Sequence, residues 1–147
     1  RPDRAPAWPA GISGSISHCA CACLAAVARS AMHRSLGLDV EPDTPLAGDL
    51  WDTILLAQER RWLAAQPVNR RGHLALLIFS AKEAAYKAQY PISETLFGFD
   101  AMHIEISTPD QSFSAEFLHP VTSFAKGTRL CGRYGYAENH LITAVTI

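Results

Sequence analysis

The chain has 147 residues and a formal net charge of −1, with 48% hydrophobic and 18% charged residues. These values are typical of one globular domain with a buried core. The near-neutral charge argues against bulk electrostatic binding to nucleic acid or membrane, and the longest apolar run, residues 19–28, is too short to span a bilayer. Any anion site must therefore be local.

The first part of the chain contains a proline-rich lead-in over residues 1–14 and then an Ala-, Leu- and Cys-rich segment. Ser15 and Ser17 flank an isoleucine and favour a short strand. Residues 20–34 lack Gly and Pro and predict a helix. Ser17 or His18 would then lie at its N-terminus, either as an anion site or simply as an N-cap.

Three of the four cysteines, Cys19, Cys21 and Cys23, occupy alternate positions at the start of that predicted helix. Alternate positions of a helix point to nearly opposite sides, so these thiols would not converge. We predict small, buried, reduced thiols, which favours a cytoplasmic protein. Structural zinc and a disulfide stay open as alternatives.

Residues 36–41 alternate with period two and predict a strand with Asp39 and Glu41 on one face. Two carboxylates ~4 Å apart at an effective dielectric of about 20 repel by about 4 kcal/mol. A divalent cation would reverse that sign, and oxygen-only ligands favour Mg²⁺. A solvated strand edge is the alternative.

The rest of the chain predicts two helices followed by strands. Residues 50–66 have an apolar stripe at helical spacing, with Glu59 on the polar face, and residues 67–72 are typical of a turn. The apolar run 74–79 leads into a helix that ends near Pro91. Residues 102–107, 112–118, 128–136 and 140–147 predict an antiparallel meander. The predicted fold class is α+β, an antiparallel sheet with packed helices.

Within the second helix, Glu83 and Lys87 are four positions apart and share a face, where an acid and a base can hold a metal and a phosphate side by side. A structural interpretation is also available. Ser80 and Glu83 fit a capping box, and Glu83 with Lys87 fits an ordinary stabilising pair.

Three segments occur in order: Gly-Ser-Ile-Ser-His at 14–18, Gly-Leu-Asp-Val-Glu at 37–41 and Phe-Ser-Ala-Lys-Glu-Ala-Ala-Tyr-Lys at 79–87. Their order and spacing resemble the 4′-phosphopantetheinyl transferases, within them the large surfactin-type group and its enterobactin-synthetase component D subgroup. The Trp8-Pro9 lead-in is similar to that subgroup. The resemblance implies one half of a pseudo-twofold fold, with residues 1–18 as lead-in and coenzyme A-binding segment and 19–147 as the transferase domain.

The resemblance implies Mg²⁺-dependent transfer of phosphopantetheine from coenzyme A to a serine of an acyl or peptidyl carrier protein. It assigns Asp39, Glu41 and Glu83 to the metal. Glu83, directly or through a metal-bound water, would be the base, and Lys87 would neutralise the leaving group. Phosphoryl transfer needs such cations more than a covalent nucleophile. Substitution of Asp39 or Glu83 by alanine should abolish turnover with little loss of fold.

The resemblance also implies a set of coenzyme A contacts: Arg4, Ser17, His18, Lys82 and Lys87. The large-type enzymes carry most of an N-terminal half before the Ser-His segment, whereas here 18 residues reach His18. We therefore expect the right chemistry with an incomplete nucleotide pocket. A non-catalytic remnant and an unrelated Mg²⁺-dependent hydrolase are the alternatives, the latter having no special need for Ser17 and His18. The carrier could serve siderophore, polyketide or fatty-acid synthesis.

Overall fold

The computed structural model of the protein describes residues 5–147, which form seven strands and three α-helices. The strands β1 to β7 are Ile12–His18, Cys23–Arg29, Leu36–Pro42, Met102–Ser107, Ser112–Phe117, Arg129–Ala137 and His140–Thr146. The helices α1 to α3 are Trp51–Ile54, Ala57–Ala64 and Val68–Ser93.

The main sheet is antiparallel and has five strands in the order β3-β7-β6-β5-β4. The long helix α3 packs on one face of it, and the core between them includes Ile78, Met102, Phe117 and Val145. The predicted strand at 36–41 and the predicted four-strand meander are confirmed, and together with α3 they make the α+β fold that the sequence indicated. Strand β3, one of the two edge strands of this sheet, thus faces the start of the chain.

Helix α3 is longer than predicted, because it begins at Val68 in the segment assigned to a turn. Pro67 precedes it. Position 72 inside the helix requires a glycine, because a Cβ there would lie 2.6 Å from the Cβ of Pro45. Pro91 lies in the last turn, so its ring and missing N–H disturb only the end of the helix, and Glu94 follows in a left-handed conformation with φ 50°. Close packing against Pro45 is therefore the reason for glycine in the first turns.

The single helix predicted over 50–66 is wrong, because the chain is extended at Leu55 and Leu56 between α1 and α2. The first turn of α2 is closed by Glu59, whose Oε2 accepts the N–H of Leu56 at 2.8 Å. Its Oε1 accepts the N–H of Ile104 on β4 at 2.9 Å. Glu59, predicted to be on the polar face, is 1% exposed and joins α2 to the sheet.

The helix predicted over 20–34 is also wrong, because residues 23–29 form β2 and pair with β1 in a hairpin from His18↔Cys23 to Ile12↔Arg29. Side chains of β2 alternate between exposed and half-buried, so period two prevails over the helix propensity of alanine. The cysteines are free, but the prediction that Cys19, Cys21 and Cys23 are buried in a helix is wrong, because Cys19 is half-buried and the other two are exposed. The domain boundary predicted after His18 falls in the turn of this hairpin.

The hairpin is joined to β3 by side chains rather than by a main-chain ladder. Ser15 Oγ accepts the N–H of Leu38 at 2.9 Å, and Ser17 Oγ accepts the N–H of Val40 at 3.3 Å. Trp8 supports β1 from the other side, since a Cβ on Gly14 would lie 2.7 Å from its ring. These contacts hold the first sequence motif beside the second.

Candidate active site

Asp39 on β3 is the point where the three sequence motifs meet. Its side chain is buried, and its Oδ1 accepts hydrogen bonds from Ser17 Oγ at 2.9 Å and from Lys87 Nζ at 2.7 Å. Its Oδ2 accepts one from Ser80 Oγ at 2.8 Å. Lys87 Nζ also donates to Ser17 Oγ at 3.0 Å. Each of the three motifs therefore contributes at least one residue to a single hydrogen-bonded cluster.

Two features press β3 against α3 and so form this cluster. A Cβ on Gly37 would lie 1.8 Å from the carbonyl oxygen of Ala84, so the strand sits directly on the helix backbone. On the neighbouring strand, Thr143 is paired with Asp39 and its Oγ1 donates to the carbonyl of Ser80 at 2.9 Å. The hydroxyl of Ser80, interpreted from sequence as a possible cap, instead serves the buried carboxylate of Asp39.

Glu41 and Glu83 add two more carboxylates to the surroundings of Asp39. Burial, and next the charge of Asp39, raise the pKa of Glu41 from 4.5 to about 7, against the lowering effect of Lys87. Burial and then Asp39 also raise the pKa of Glu83. Lys87 is the cation that lowers both pKa values, so three carboxyl groups surround one lysine here.

The donor set of Asp39, Glu41 and Glu83 consists of oxygen only and has the chemistry that Mg²⁺ prefers. The oxygens are not gathered into a closed shell, however. Within residues 5–147, the group of three potential ligands whose atoms all lie within 4.8 Å of one another is Cys19, Cys21 and His140. Around Asp39 the nearest cation is the ammonium of Lys87, so a metal there would share Oδ1 with it or displace it.

Lys82 does not join this cluster, although the sequence motif places it five residues before Lys87. It is 3% exposed, and its Nζ contacts Glu59 Oε2 at 2.8 Å and the carbonyls of Ile54 and Phe99 at 2.9 Å each. With its donors engaged inside the protein, Lys82 is a structural residue here. This arrangement does not support the phosphate contact that the resemblance assigned to Lys82.

Ser17 and His18 differ in position at the end of β1. Ser17 is buried against Asp39, whereas His18 is exposed and begins the hairpin turn. No helix follows them, so the helix N-terminus predicted as an anion site does not form there. His18 can still meet a ligand from solvent. Arg4 lies outside the described residues.

A cleft of about 470 Å³ lies between β1 and the C-terminal half of α3, next to the cluster. It is lined by Ser13, Ser15, Lys87 and Tyr90, and also by Arg34 just before β3. Sequence reasoning missed Arg34, because no motif contains it. One sequence signal could have identified it: Arg34 is a basic residue that lies just before the strand carrying Asp39. Arg34 and Lys87 therefore line the same cleft.

Two sequence profiles match the chain. That of the 4′-phosphopantetheinyl transferase superfamily matches residues 35–145, and that of the 4′-phosphopantetheinyl transferase N-terminal domain matches residues 1–28. The boundary between the two matches lies between β2 and β3, so the hairpin and the five-stranded sheet correspond to different profiles.

Curated relatives agree with the profiles. The chain is 37% identical over 151 residues to 4′-phosphopantetheinyl transferase Npt of Nocardia iowensis, covering 96% of this chain and 67% of that protein. It is 32% identical over 148 residues to PptT of Mycobacterium tuberculosis, covering 97% and 65%. Enterobactin synthase component D of Salmonella typhi is 41% identical over 104 residues, or 69% of this chain and 42% of that protein. The chain thus spans about two thirds or less of these relatives.

Among solved structures, the holo-[acyl-carrier-protein] synthase of Thermotoga maritima is similar, with a TM-score of 0.50 and 16% sequence identity. The match covers 76% of this chain and 61% of that one. At this identity the likeness concerns the fold, and it agrees with the α+β fold of antiparallel sheet and packed helices.

Proposed function

The chain belongs to the 4′-phosphopantetheinyl transferase superfamily, and from that membership we propose that it transfers 4′-phosphopantetheine from coenzyme A to a serine of an acyl or peptidyl carrier protein. The observation that carries the proposal is the contact of Ser17 and Lys87 with Asp39, because it unites the three motifs at one acidic cluster beside a cleft.

The reaction is a displacement at phosphorus. The carrier serine oxygen bonds to the phosphorus of the phosphopantetheine group, the bond from that phosphorus to the bisphosphate leaving group breaks, and the serine proton passes to a base. Lys87 fits the role of charge partner for the leaving group, because its Nζ binds Asp39 and also lines the cleft. Glu83, one helical turn before Lys87, is the proposed proton acceptor.

Mg²⁺ belongs to this proposal, with Asp39, Glu41 and Glu83 as the residues that would hold it. When bound, it would supply the positive charge that stabilises phosphoryl oxygens during transfer. Lys87 would then exchange its contact with Asp39 for one with phosphate, since both cations cannot share the same oxygen at full strength. Ser17 and Ser80 keep the carboxylate of Asp39 oriented during that exchange, because each donates to it.

The carrier protein is a further part of the proposal. Enterobactin synthase component D is among the relatives, so an acyl or peptidyl carrier protein of siderophore assembly is the first substrate to test. The cytoplasmic location predicted from unpaired cysteines stays a prediction. In the part of the chain that the structure describes, no helix is long and apolar enough to cross a membrane.

The test is intact-mass spectrometry of an apo carrier incubated with the chain, coenzyme A and Mg²⁺, with and without chelator. We expect a chelator-sensitive gain of one phosphopantetheine group. No gain would favour the non-catalytic alternative, and release of the bisphosphate without carrier modification would favour a hydrolase. Both outcomes contradict the proposal for this 147-residue chain.

The matched variants are Glu83→Gln and Glu105→Gln. Glu83→Gln should lower the rate at least 100-fold, about 2.7 kcal/mol, because it removes both a metal ligand and a base. Glu105 is exposed on β4, where it pairs with Arg129, so Glu105→Gln should leave the rate unchanged. Asp39→Ala, expected from sequence to spare the fold, is a poor test, because the buried carboxylate accepts three hydrogen bonds.

A further inference from the structure

We propose that Cys19, Cys21 and His140 form a second cation site, distinct from the carboxylate cluster, for a thiophilic divalent ion of the zinc class. The two cysteines lie in the turn of the β1–β2 hairpin, and His140 is the first residue of β7. Their potential ligand atoms all lie within 4.8 Å of one another. Cys21 Sγ and His140 Nε2 are 3.3 Å apart although 119 positions separate the two residues in sequence.

These separations suit a tetrahedral ion. Zinc-to-sulfur bonds of about 2.3 Å and zinc-to-nitrogen bonds of about 2.0–2.1 Å place tetrahedral ligands roughly 3.5–3.8 Å from one another. At 3.3 Å, Cys21 Sγ and His140 Nε2 are slightly closer than that spacing, and Cys19 Sγ lies within 4.8 Å of both. The turn that carries both cysteines is tight, since the N–H of Cys19 donates to the carbonyl of Ala22 at 2.9 Å, and within it the two thiols lie no more than 4.8 Å apart.

The hydrogen bond on the other side of the His140 ring selects the ligating tautomer. Its Nδ1 lies 2.7 Å from the carbonyl oxygen of Glu138. A carbonyl only accepts, so Nδ1 carries the proton and the neutral ring keeps its lone pair on Nε2, the atom that faces Cys21. Histidines that bind metals are oriented by this kind of second contact. The site therefore has an oriented histidine before any ion arrives.

The donor chemistry separates this site from the one proposed for Mg²⁺. Two thiolates and an imidazole are soft ligands that favour zinc-class ions, whereas Mg²⁺ takes oxygen. Cys21 is exposed, and Cys19 and His140 are half-buried, so a fourth position faces solvent and can hold water.

A bound ion would tie the hairpin turn to the main sheet. His140 is paired with Pro42 at the end of β3, and the hairpin otherwise reaches β3 through the hydroxyls of Ser15 and Ser17. Cys19 directly follows His18, so the same ion would fix the end of β1 next to the strand that carries Glu41. The ion would therefore hold these two segments together.

The first test is titration of the reduced, metal-free chain with Co²⁺ and then Zn²⁺, followed by visible absorption. We expect the intense absorption of tetrahedral, thiolate-bound Co²⁺ at one equivalent and its loss when Zn²⁺ displaces the ion. Cys21→Ser and His140→Ala should each weaken Zn²⁺ binding by more than about 100-fold, beyond the 10–100-fold typical of outer-shell changes. Absence of this absorption, or its persistence in both variants, would overturn the proposal.

Cys23→Ser and Cys131→Ser are the matched controls, because both thiols are exposed but stand outside the cluster. They should bind Zn²⁺ as the parent chain does, and an equal loss in them would also contradict the site. A second readout needs no variant: Zn²⁺ should protect Cys19 and Cys21 from alkylation while Cys23 and Cys131 react, as mapped by peptide mass spectrometry. Neither measurement uses transferase activity, so the result is independent of the proposed function.

Discussion

Helix α3 carries two lysine–carboxylate pairs that behave differently, Lys82 with Glu59 and Lys87 with Asp39. The side chain of Lys82 is 2% exposed, and its donors are engaged by Glu59 and two carbonyls. The side chain of Lys87 is 27% exposed, and two further carboxylates act on the same cluster. The first pair is complete within the protein, whereas in the second one lysine is shared among three carboxyl groups and also lines a cleft.

The difference shows that one motif can divide its residues between fold and site. Residues five apart on a helix are separated by about 140° around its axis, so Lys82 and Lys87 cannot face the same ligand. A lysine whose partners are all internal stabilises the fold. One that shares a partially open cluster with several carboxylates can change partners when a ligand arrives.

The largest loss of stability should come from breaking the buried pair of Lys82 and Glu59. Lys82→Met leaves the buried carboxylate of Glu59 without its cation and should lower the free energy of unfolding by about 3–5 kcal/mol. Lys87→Met, the same change on the same helix, should cost about 1–2 kcal/mol, because Ser17 and Ser80 still donate to Asp39. Urea unfolding measures both. Equal losses would remove the distinction between the two lysines.

The second-largest effect concerns coenzyme A binding at the pair of Lys87 and Asp39. Lys87→Met should weaken coenzyme A binding by about 1.5–3 kcal/mol, or roughly 10–150-fold, because it removes a charge-assisted contact. Isothermal titration calorimetry of the chain with coenzyme A measures this, and Lys126→Met, at an exposed turn, is the control. Unchanged affinity in the Lys87 variant would take Lys87 out of the proposed phosphate site.

The smallest effect is the pH dependence of the metal-free protein. Glu41 has a folded pKa of about 7 against 4.5, so between these values the folded state retains a proton that the unfolded state has lost. Stability is therefore highest below about pH 4.5 with respect to this group and falls as pH rises to about 7. Glu41→Gln should flatten this slope in thermal unfolding with chelator present.

Thermal unfolding with added Mg²⁺ tests whether these carboxylates bind the ion. If the ion binds the carboxylates, it must displace their protons, so it should raise the melting temperature more at about pH 8 than at about pH 5. A shift of the same size at both pH values, or the same slope in the Glu41→Gln variant, would contradict the assignment of Glu41 to the metal.

The parts of the protein that were predictable from sequence are those with a local signal. Alternation placed Asp39 and Glu41 on a strand, and the spacing of Glu83 and Lys87 placed them on one helix. The order of the three motifs identified the family, which the profile match confirms. What the sequence could not give was partner choice: nothing local distinguishes Lys82 from Lys87, because Glu59, which decides the matter, lies more than 20 positions away.

The errors have the same origin. The segment 20–34 has the composition of a helix, and only pairing with β1 makes it a strand. That misassignment also hid the cysteine cluster, since thiols two apart diverge on a helix but converge in a hairpin turn. The break in the helix at Leu55 likewise depends on Glu59. Its carboxylate accepts one N–H group at the start of α2 and another on β4.

The way in which Ser15 and Ser17 meet β3 has a consequence for solubility. The N–H groups of Leu38 and Val40 belong to the outermost strand of a five-stranded sheet, where another chain could add itself by β-augmentation. The hydroxyl oxygens of Ser15 and Ser17 accept hydrogen bonds from these N–H groups. In the described part of the chain, no main-chain strand pairing continues beyond β3, so the sheet ends there. The hairpin is thus a guard against edge-to-edge self-association, and a truncated protein that starts after residue 29 would lose that protection.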